Sequence, residues 1–429
     1  MKKILIASCY LILMFSGNLF ALTLEEAISE SLNNNLTIKM ENSTLGIAEE
    51  TLLQSKVDFL PSISLSGSIS ESETSGITTQ GGITGSEYEL SPSSKSIILS
   101  QTIFNGFGRA YSLKSSKSEL ELQRLNKFKT EQDITLETIE AYFNILVSEK
   151  TLKSYEDNFK TVSERFSSTK KEFEVGLSSK TDVAQSEAYY NAAKIDMLNA
   201  KISHQNIMNA FNNLVGTEAR NLSFSSINGF LPESSNEFNE LVINNNLSIK
   251  MAQSNLDIKS SDVGIARSAY FPQVNLTATK TELDEFSSTV DEITNEEIEA
   301  TISWPIFNKG KSSSTVRQAE KLKNRYMILL QKTQQDTLTL ASNIWQKYSI
   351  SKDTLDAANL SYLASQTAFE GTKIEQEVGE RTVLDVLNAR QSLLNAEIKL
   401  FNEQKNQEVI KAQVMYLAGI LTLENIRGI

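Results

Sequence analysis

Apolar side chains recur at helical spacing over residues 24–58: Leu24, Ile28 and Leu32, then Leu45, Ala48 and Leu52. This spacing predicts one amphipathic helix. Pro61 stops it, and the pattern changes period. From Ser62 to about Ser70, hydroxyl and aliphatic side chains alternate, as in a half-buried strand. A Ser/Thr/Gly-rich stretch over about 71–94 reads as a loop; a second alternating run, about 96–104, ends at Asn105-Gly106-Phe107-Gly108. A long helix is then predicted over about 109–175, a stretch with no proline. Its apolar positions settle into steps of three and four at Leu152, Tyr155, Phe159, Val162, Phe166, Thr169 and Phe173. Such a 3.5-residue repeat marks a coiled-coil seam. Gly176 ends this stretch, and a returning helix over about 181–215 ends at Gly216.

The same sentence is then written again. Asn33-Asn34-Asn35-Leu36-Thr37-Ile38-Lys39-Met40 recurs as Asn244-Asn245-Asn246-Leu247-Ser248-Ile249-Lys250-Met251, and Phe59-Leu60-Pro61 as Tyr270-Phe271-Pro272, at an offset of 211. Phe104-Asn105 pairs with Phe307-Asn308, Gly176 with Gly379 and Gly216 with Gly419 at an offset of 203. The chain is therefore a tandem duplication, 22–235 and 236–429. The second copy predicts a helix over 236–269, strands at about 273–281 and 298–307, a long helix at about 311–377 and a returning helix at about 382–418. Its strand-to-strand loop, 282–297, is eight residues shorter than 71–94, which accounts for the change of offset. Pro61, Pro272 and Pro305 sit where helix and strand exchange.

A long helix of about 66 residues reaches on the order of 100 Å, the returning helix about 60 Å and the first helix of a repeat about 50 Å. One long helix flanked by two shorter ones end to end fits this arithmetic. Residues 217–235 and the last ten would lie at the junction. Each chain offers four strands of about ten residues, enough to cross an outer membrane when tilted. Four strands cannot close a barrel, and open edges are not tolerated in lipid. If the strands span a membrane, several chains must share one barrel.

Composition narrows the choice. Lys2-Lys3, an apolar run from Ile4 to Phe15 and Ala21 form a secretory leader over 1–21, with cleavage expected after Ala21. Lipidation at Cys9 is the alternative; Cys9 is the single cysteine. Without the two leader lysines, 39 basic face 53 acidic side chains, a net charge of −14. That disfavours nucleic acid as a partner. Beyond the leader there is no apolar run long enough for a transmembrane helix. His204 is the only histidine, which excludes a multi-histidine metal site and disfavours a histidine-based triad. Gly310-Lys311-Ser312 resembles the end of a phosphate loop, but Pro305 occupies the required earlier glycine. No cofactor is expected, and no enzyme.

The duplicated hairpin, long coil and glycine turn resemble the TolC family of outer-membrane efflux and secretion channels. The most specific segment is Val378-Gly379-Glu380-Arg381-Thr382-Val383-Leu384-Asp385-Val386-Leu387-Asn388-Ala389, with Val175-Gly176-Leu177-Ser178-Ser179-Lys180-Thr181-Asp182-Val183 as its first-copy partner. The likeness covers nearly all of the chain after the leader. It implies an α+β membrane protein. A homotrimer would form a twelve-stranded β-barrel in outer-membrane lipid, continued by a twelve-helix periplasmic α-barrel. It further implies a periplasmic adaptor (membrane fusion) protein and an inner-membrane pump of RND or ABC type as partners. The rival reading is an exported trimeric coiled-coil scaffold or adhesin without a pore.

By the same resemblance, Arg381 and Asp182 match the closing salt-bridge network at the periplasmic constriction. Asp385 matches the first of two ring aspartates, whereas the second position is Asn388, which implies weaker cation binding. Gln376 stands where the best-studied member has a tyrosine that makes a closing hydrogen bond. The residues themselves leave two compatible roles open for the aspartates. Ser179-x-x-Asp182 and Thr382-x-x-Asp385 each place a hydroxyl at an N-cap and an acid three residues on. Gly176 and Gly379 would let the backbone turn left-handed between helices.

Overall fold

A computed structural model describes residues 22–76, 81–82, 88–287 and 290–427. The leader over 1–21 and Cys9 lie outside the described residues. The chain opens with α1 (Leu24–Asn34), whose N-cap is Thr23. The Thr23 hydroxyl accepts from the Glu26 amide at 3.2 Å, while the Glu26 carboxylate accepts from the Thr23 amide at 3.0 Å. Each side chain satisfies an amide the helix start would leave orphaned. A separate helix, α2 (Leu36–Val57), follows. The single helix expected over 24–58 is thus broken at Asn35, whose side chain accepts from the Thr37 amide at 2.8 Å. Asparagine competes for backbone donors in this way, and the apolar periodicity on either side hides the break.

After Pro61 come β1 (Ser62–Ile69), β2 (Ser72–Thr74), β3 (Tyr88–Leu90) and β4 (Ser93–Asn105). The expected loop over 71–94 therefore contains a short second hairpin, and β4 begins earlier than predicted. The long helix is α3 (Gly108–Glu174), and α4 (Lys180–Val215) returns. The second copy supplies α5 (Ser235–Asn245) and α6 (Leu247–Ser268), again two helices where one was expected, broken at Asn246. Asn246 is buried; its Nδ2 donates to the Leu417 carbonyl at 2.9 Å and its Oδ1 accepts from the Ser248 amide at 3.0 Å. Then follow β5 (Gln273–Ser287), β6 (Val290–Ser303), α7 (Lys311–Glu377), α8 (Val383–Leu417) and the short α9 (Leu423–Arg427). The loop expected over 282–297 is mostly strand, and β6 stops at Ser303 rather than Phe307, two residues before Pro305. Strands that run past an apolar band lose the alternation by which they were predicted.

Two compact units divide the chain, and each draws on both sequence copies. Among the described residues, one comprises 22–41, Lys127–Ile249 and 334–427; the other comprises Asn42–Asn126 and Lys250–Thr333. In the first, Leu24 and Ile28 of α1, Tyr142 and Phe143 of α3, Phe211 of α4, and Ile227, Met415, Leu421 and Ile426 form one core. Residues after Val215 and after Leu417, expected at a junction, are stitched into that core. The Ile227 amide donates to the buried Glu408 carboxylate at 2.8 Å, and Lys411 neutralises the same group at 2.8 Å. A second cluster packs Phe238 and Val242 of α5 on Ala341, Ile344, Val414 and Leu417.

The other unit holds one four-stranded antiparallel sheet in the order β1-β4-β5-β6. The two hairpins are joined side by side through β4 and β5, leaving β1 and β6 as edges. Residues opposite each other in register share a face. Ile63 and Leu65 lie opposite Leu99 and Ile97; Leu99, Ala278 and Ile298 follow one another across the sheet, as do Gln101, Leu276 and Ala300. The opposite face carries Ser62, Ser100, Thr277 and Glu299 in one row and Ser64, Ile98, Thr279 and Glu297 in the next. Apart from Ile98, those two rows are hydroxyl and carboxylate. On the aliphatic face, Ile63, Leu65, Ile298 and Ile302 are each more than 70% exposed in the single chain.

Aromatic rings gather where strands meet helices. Phe104, Phe107 and Phe271 stack edge to face at 5.2 and 6.1 Å. The Arg109 guanidinium lies 5.0 Å from the Phe59 ring centre and donates to the Asp58 carbonyl at 2.8 Å and to the Thr102 carbonyl. Gly106, at φ +66°, fits against Ser268 and Phe271 where a Cβ would overlap the Ser268 carbonyl oxygen.

Candidate functional site

Of the residues singled out for gating, Asp182, Gln376 and Arg381 come together where the long helices turn back. Both long helices end in the same motif. The Gly176 amide donates to the Phe173 carbonyl at 3.0 Å and the Leu177 amide to the Glu172 carbonyl at 2.8 Å. In the second copy, Gly379 donates to Gln376 at 3.0 Å and Glu380 to Glu375 at 2.9 Å. Gly176 and Gly379 take φ of +80° and +84°, the left-handed region this motif demands. A cavity of about 400 Å³ lies between the two turns, lined by Asp182, Gln376, Gly379 and Arg381 among others.

Asp182 and Asp385 each complete a cap. The Ser179 hydroxyl donates to Asp182 at 2.7 Å and the Ser179 amide does so at 2.9 Å; the Thr382 amide and hydroxyl serve Asp385 at 2.9 and 2.8 Å. The Ser179 hydroxyl, then its amide, holds the Asp182 carboxyl below the usual carboxylate range. The Thr382 amide, then its hydroxyl, does the same for Asp385, with a smaller contribution from Arg381. Both are the charge-assisted bonds that favour an ionised acid.

Within the chain Arg381 reaches back to Glu375, Nε to Oε2 at 2.9 Å, rather than across to Asp182. Glu375 was not anticipated from sequence. It sits in the last turn of α7, and only the glycine turn brings it to Arg381. Glu172, its counterpart in the first copy, lines the same cavity and accepts from the Ser168 hydroxyl at 3.0 Å. The duplicated glutamate six residues before Ser178 and Arg381 was the available signal. Gln376 keeps its Oε1 buried without a hydrogen-bond partner among the described residues. Asn388 lies off the cavity lining and accepts from the Tyr189 hydroxyl of α4 at 3.0 Å.

The outer membrane efflux protein family model matches residues 27–217 and 240–419. The chain belongs to that family. It is 23% identical over 412 residues to the outer membrane efflux protein BepC of Brucella suis, covering 94% of this chain and 87% of that relative. It is 25% identical over 317 residues to the outer membrane protein TolC of Vibrio cholerae, covering 70% of each. Among solved structures, the CmeC outer membrane channel of Campylobacter jejuni superposes with a TM-score of 0.83 at 20% identity, over 93% of this chain and 86% of that one. As an outer membrane efflux protein, the chain combines a strand portion for the outer membrane with helices for the periplasm.

Proposed function

We propose that three copies of the chain close one twelve-stranded barrel in the outer membrane, continued by twelve helices as a passive exit duct. The order β1-β4-β5-β6 carries this reading, because it leaves a sheet with an aliphatic face, a hydroxyl and carboxylate face, and two unpaired edges. In lipid each unpaired backbone group costs several kcal/mol, so both edges need strands. A neighbouring copy supplies them when its β6 lies antiparallel to β1. The aliphatic faces then meet lipid, the Ser/Thr/Glu faces line water, and the aromatic residues at the strand ends sit at the headgroup level.

In this reading Asp182, Gln376, Arg381, Asp385 and Asn388 belong to the periplasmic constriction. The clustering of Asp182, Gln376 and Arg381 around the two turns supports it. The chain performs no chemistry of its own; a periplasmic adaptor and an inner-membrane pump, of RND or ABC type, supply energy and open the tip. The cargo is a drug or an exported polypeptide. The purified full-length protein should conduct ions when added to a planar lipid bilayer and should run as a three-chain particle. A folded particle without conductance would instead favour the poreless scaffold or adhesin.

A further inference from the structure

A second cavity, of about 380 Å³, opens among α3, α7 and α8, and each helix contributes a cation to it: Arg165, Lys373 and Arg390. Arg390 is only 7% exposed, yet its guanidinium is poorly served. Its Nη2 lies 3.5 Å from the Ser154 carbonyl and its Nη1 4.0 Å from Glu397, both at the limit of a useful contact. Its Nε has no hydrogen-bond partner among the described residues. Arg165 and Lys373 form no ion pair among the described residues. Glu164 is the one carboxylate on the lining, and it is exposed. Counting Glu397, three cations face two carboxylates and the buried Arg390 is only half-paired, which is costly unless something negative completes the set.

We infer that this cavity binds an organic oxyanion: a phosphate or carboxylate group carrying a small apolar body. The arginine fork matches the planar or tetrahedral oxygens of such a group. The Phe369 ring, 5.7 Å from the Arg390 guanidinium carbon, and Leu387 supply an apolar wall for the body. The ligand bridges cations on three helices and so ties α3 to α7 and α8. This goes beyond the exit-duct reading and does not depend on it.

Isothermal titration of the detergent-solubilised full-length protein with phenyl phosphate tests the assignment, with benzyl alcohol as the uncharged control. Saturable binding at one site per chain is expected for phenyl phosphate alone. Arg390→Met, which keeps the bulk, should weaken it about tenfold or more. Lys373→Gln, at an exposed position that leaves packing untouched, should weaken it roughly threefold. The proposal is overturned if phenyl phosphate does not saturate, if benzyl alcohol binds equally, or if both variants bind like the unaltered protein. It is overturned too if phenyl phosphate fails to bind while Arg390→Met dissociates the assembly, which would assign the cavity to an acidic side chain of a second copy.

Discussion

Arg381 pairs with Glu375 across a turn whose glycine has no neighbour within 4 Å of where a Cβ would point. A charged residue so placed is free to exchange partners when another chain approaches. On the proposed gate role, Arg381→Ser is expected to raise single-channel conductance in a planar bilayer; unchanged conductance would remove Arg381 from the gate. The capping aspartates have a pH signature of their own. Their carboxyls titrate lower in the folded chain than in an unfolded one. Their support of the helix starts is thus complete above the unfolded value of about 3.9 and is lost as pH falls through the lower folded value. Hydrogen exchange at the first turn of α4, corrected for intrinsic rates, should accelerate below about pH 4 in the natural chain. It should stay flat with pH in Asp182→Asn. The glycines separate two kinds of constraint. Gly379→Ala meets only left-handed strain, of about 1 kcal/mol, and should still assemble. Gly106→Ala also meets the Ser268 carbonyl and should fail to give folded protein on a heat-shift gel. The caps and glycines were legible in the sequence, because S-x-x-D, T-x-x-D and an isolated glycine each have a local cause. The partner of Arg381 was not, because it depends on how a turn folds back.

The helices carry one feature per copy that periodicity concealed. Asn35 and Asn246 interrupt helices whose apolar spacing runs on undisturbed, and the Asn triplet was visible only as a marker of duplication. At Asn246 the interruption is buried and hydrogen-bonded to the end of α8 at Leu417. Asn246→Ala leaves that carbonyl and two amides unserved and is expected to cost about 1–3 kcal/mol, seen as a lowered thermal midpoint by far-ultraviolet circular dichroism. The strands erred in the opposite direction. Residues 282–297 read as a loop in the sequence, yet Glu282, Asp284, Glu292 and Glu296 pair within β5 and β6. A ribbon wetted on both faces has no reason to alternate. Lys280 bridges Glu282 at 3.4 Å and Glu296 at 3.6 Å on that stretch, so the charges that disguised it also lace it together.

The duplication, the two hairpins and the long coils could all be read from the chain, since each has a period or a repeated word. The pairing of β4 with β5 could not, because strand neighbours are chosen by packing between distant segments. Nor could the compact units, each assembled from both copies. Face assignment gives the sharpest check at this scale. Ile298→Lys puts an ammonium on the aliphatic face and is expected to destabilise membrane-inserted protein by about 2–4 kcal/mol if it lies near the bilayer midplane. Glu299→Lys, one residue on and on the opposite face, should change ion selectivity with little loss of stability. Urea titration in lipid vesicles separates the two outcomes.

The two exposed edges of the sheet are unlike: β1 has eight residues and β6 fourteen. In a closed ring each chain must therefore act once as template and once as guest. A single copy with a proline in the middle of β1 cannot accept its neighbour and spoils the whole ring. Co-production of such a chain with the natural one should poison function out of proportion to its dose, as a dominant inhibitor from within.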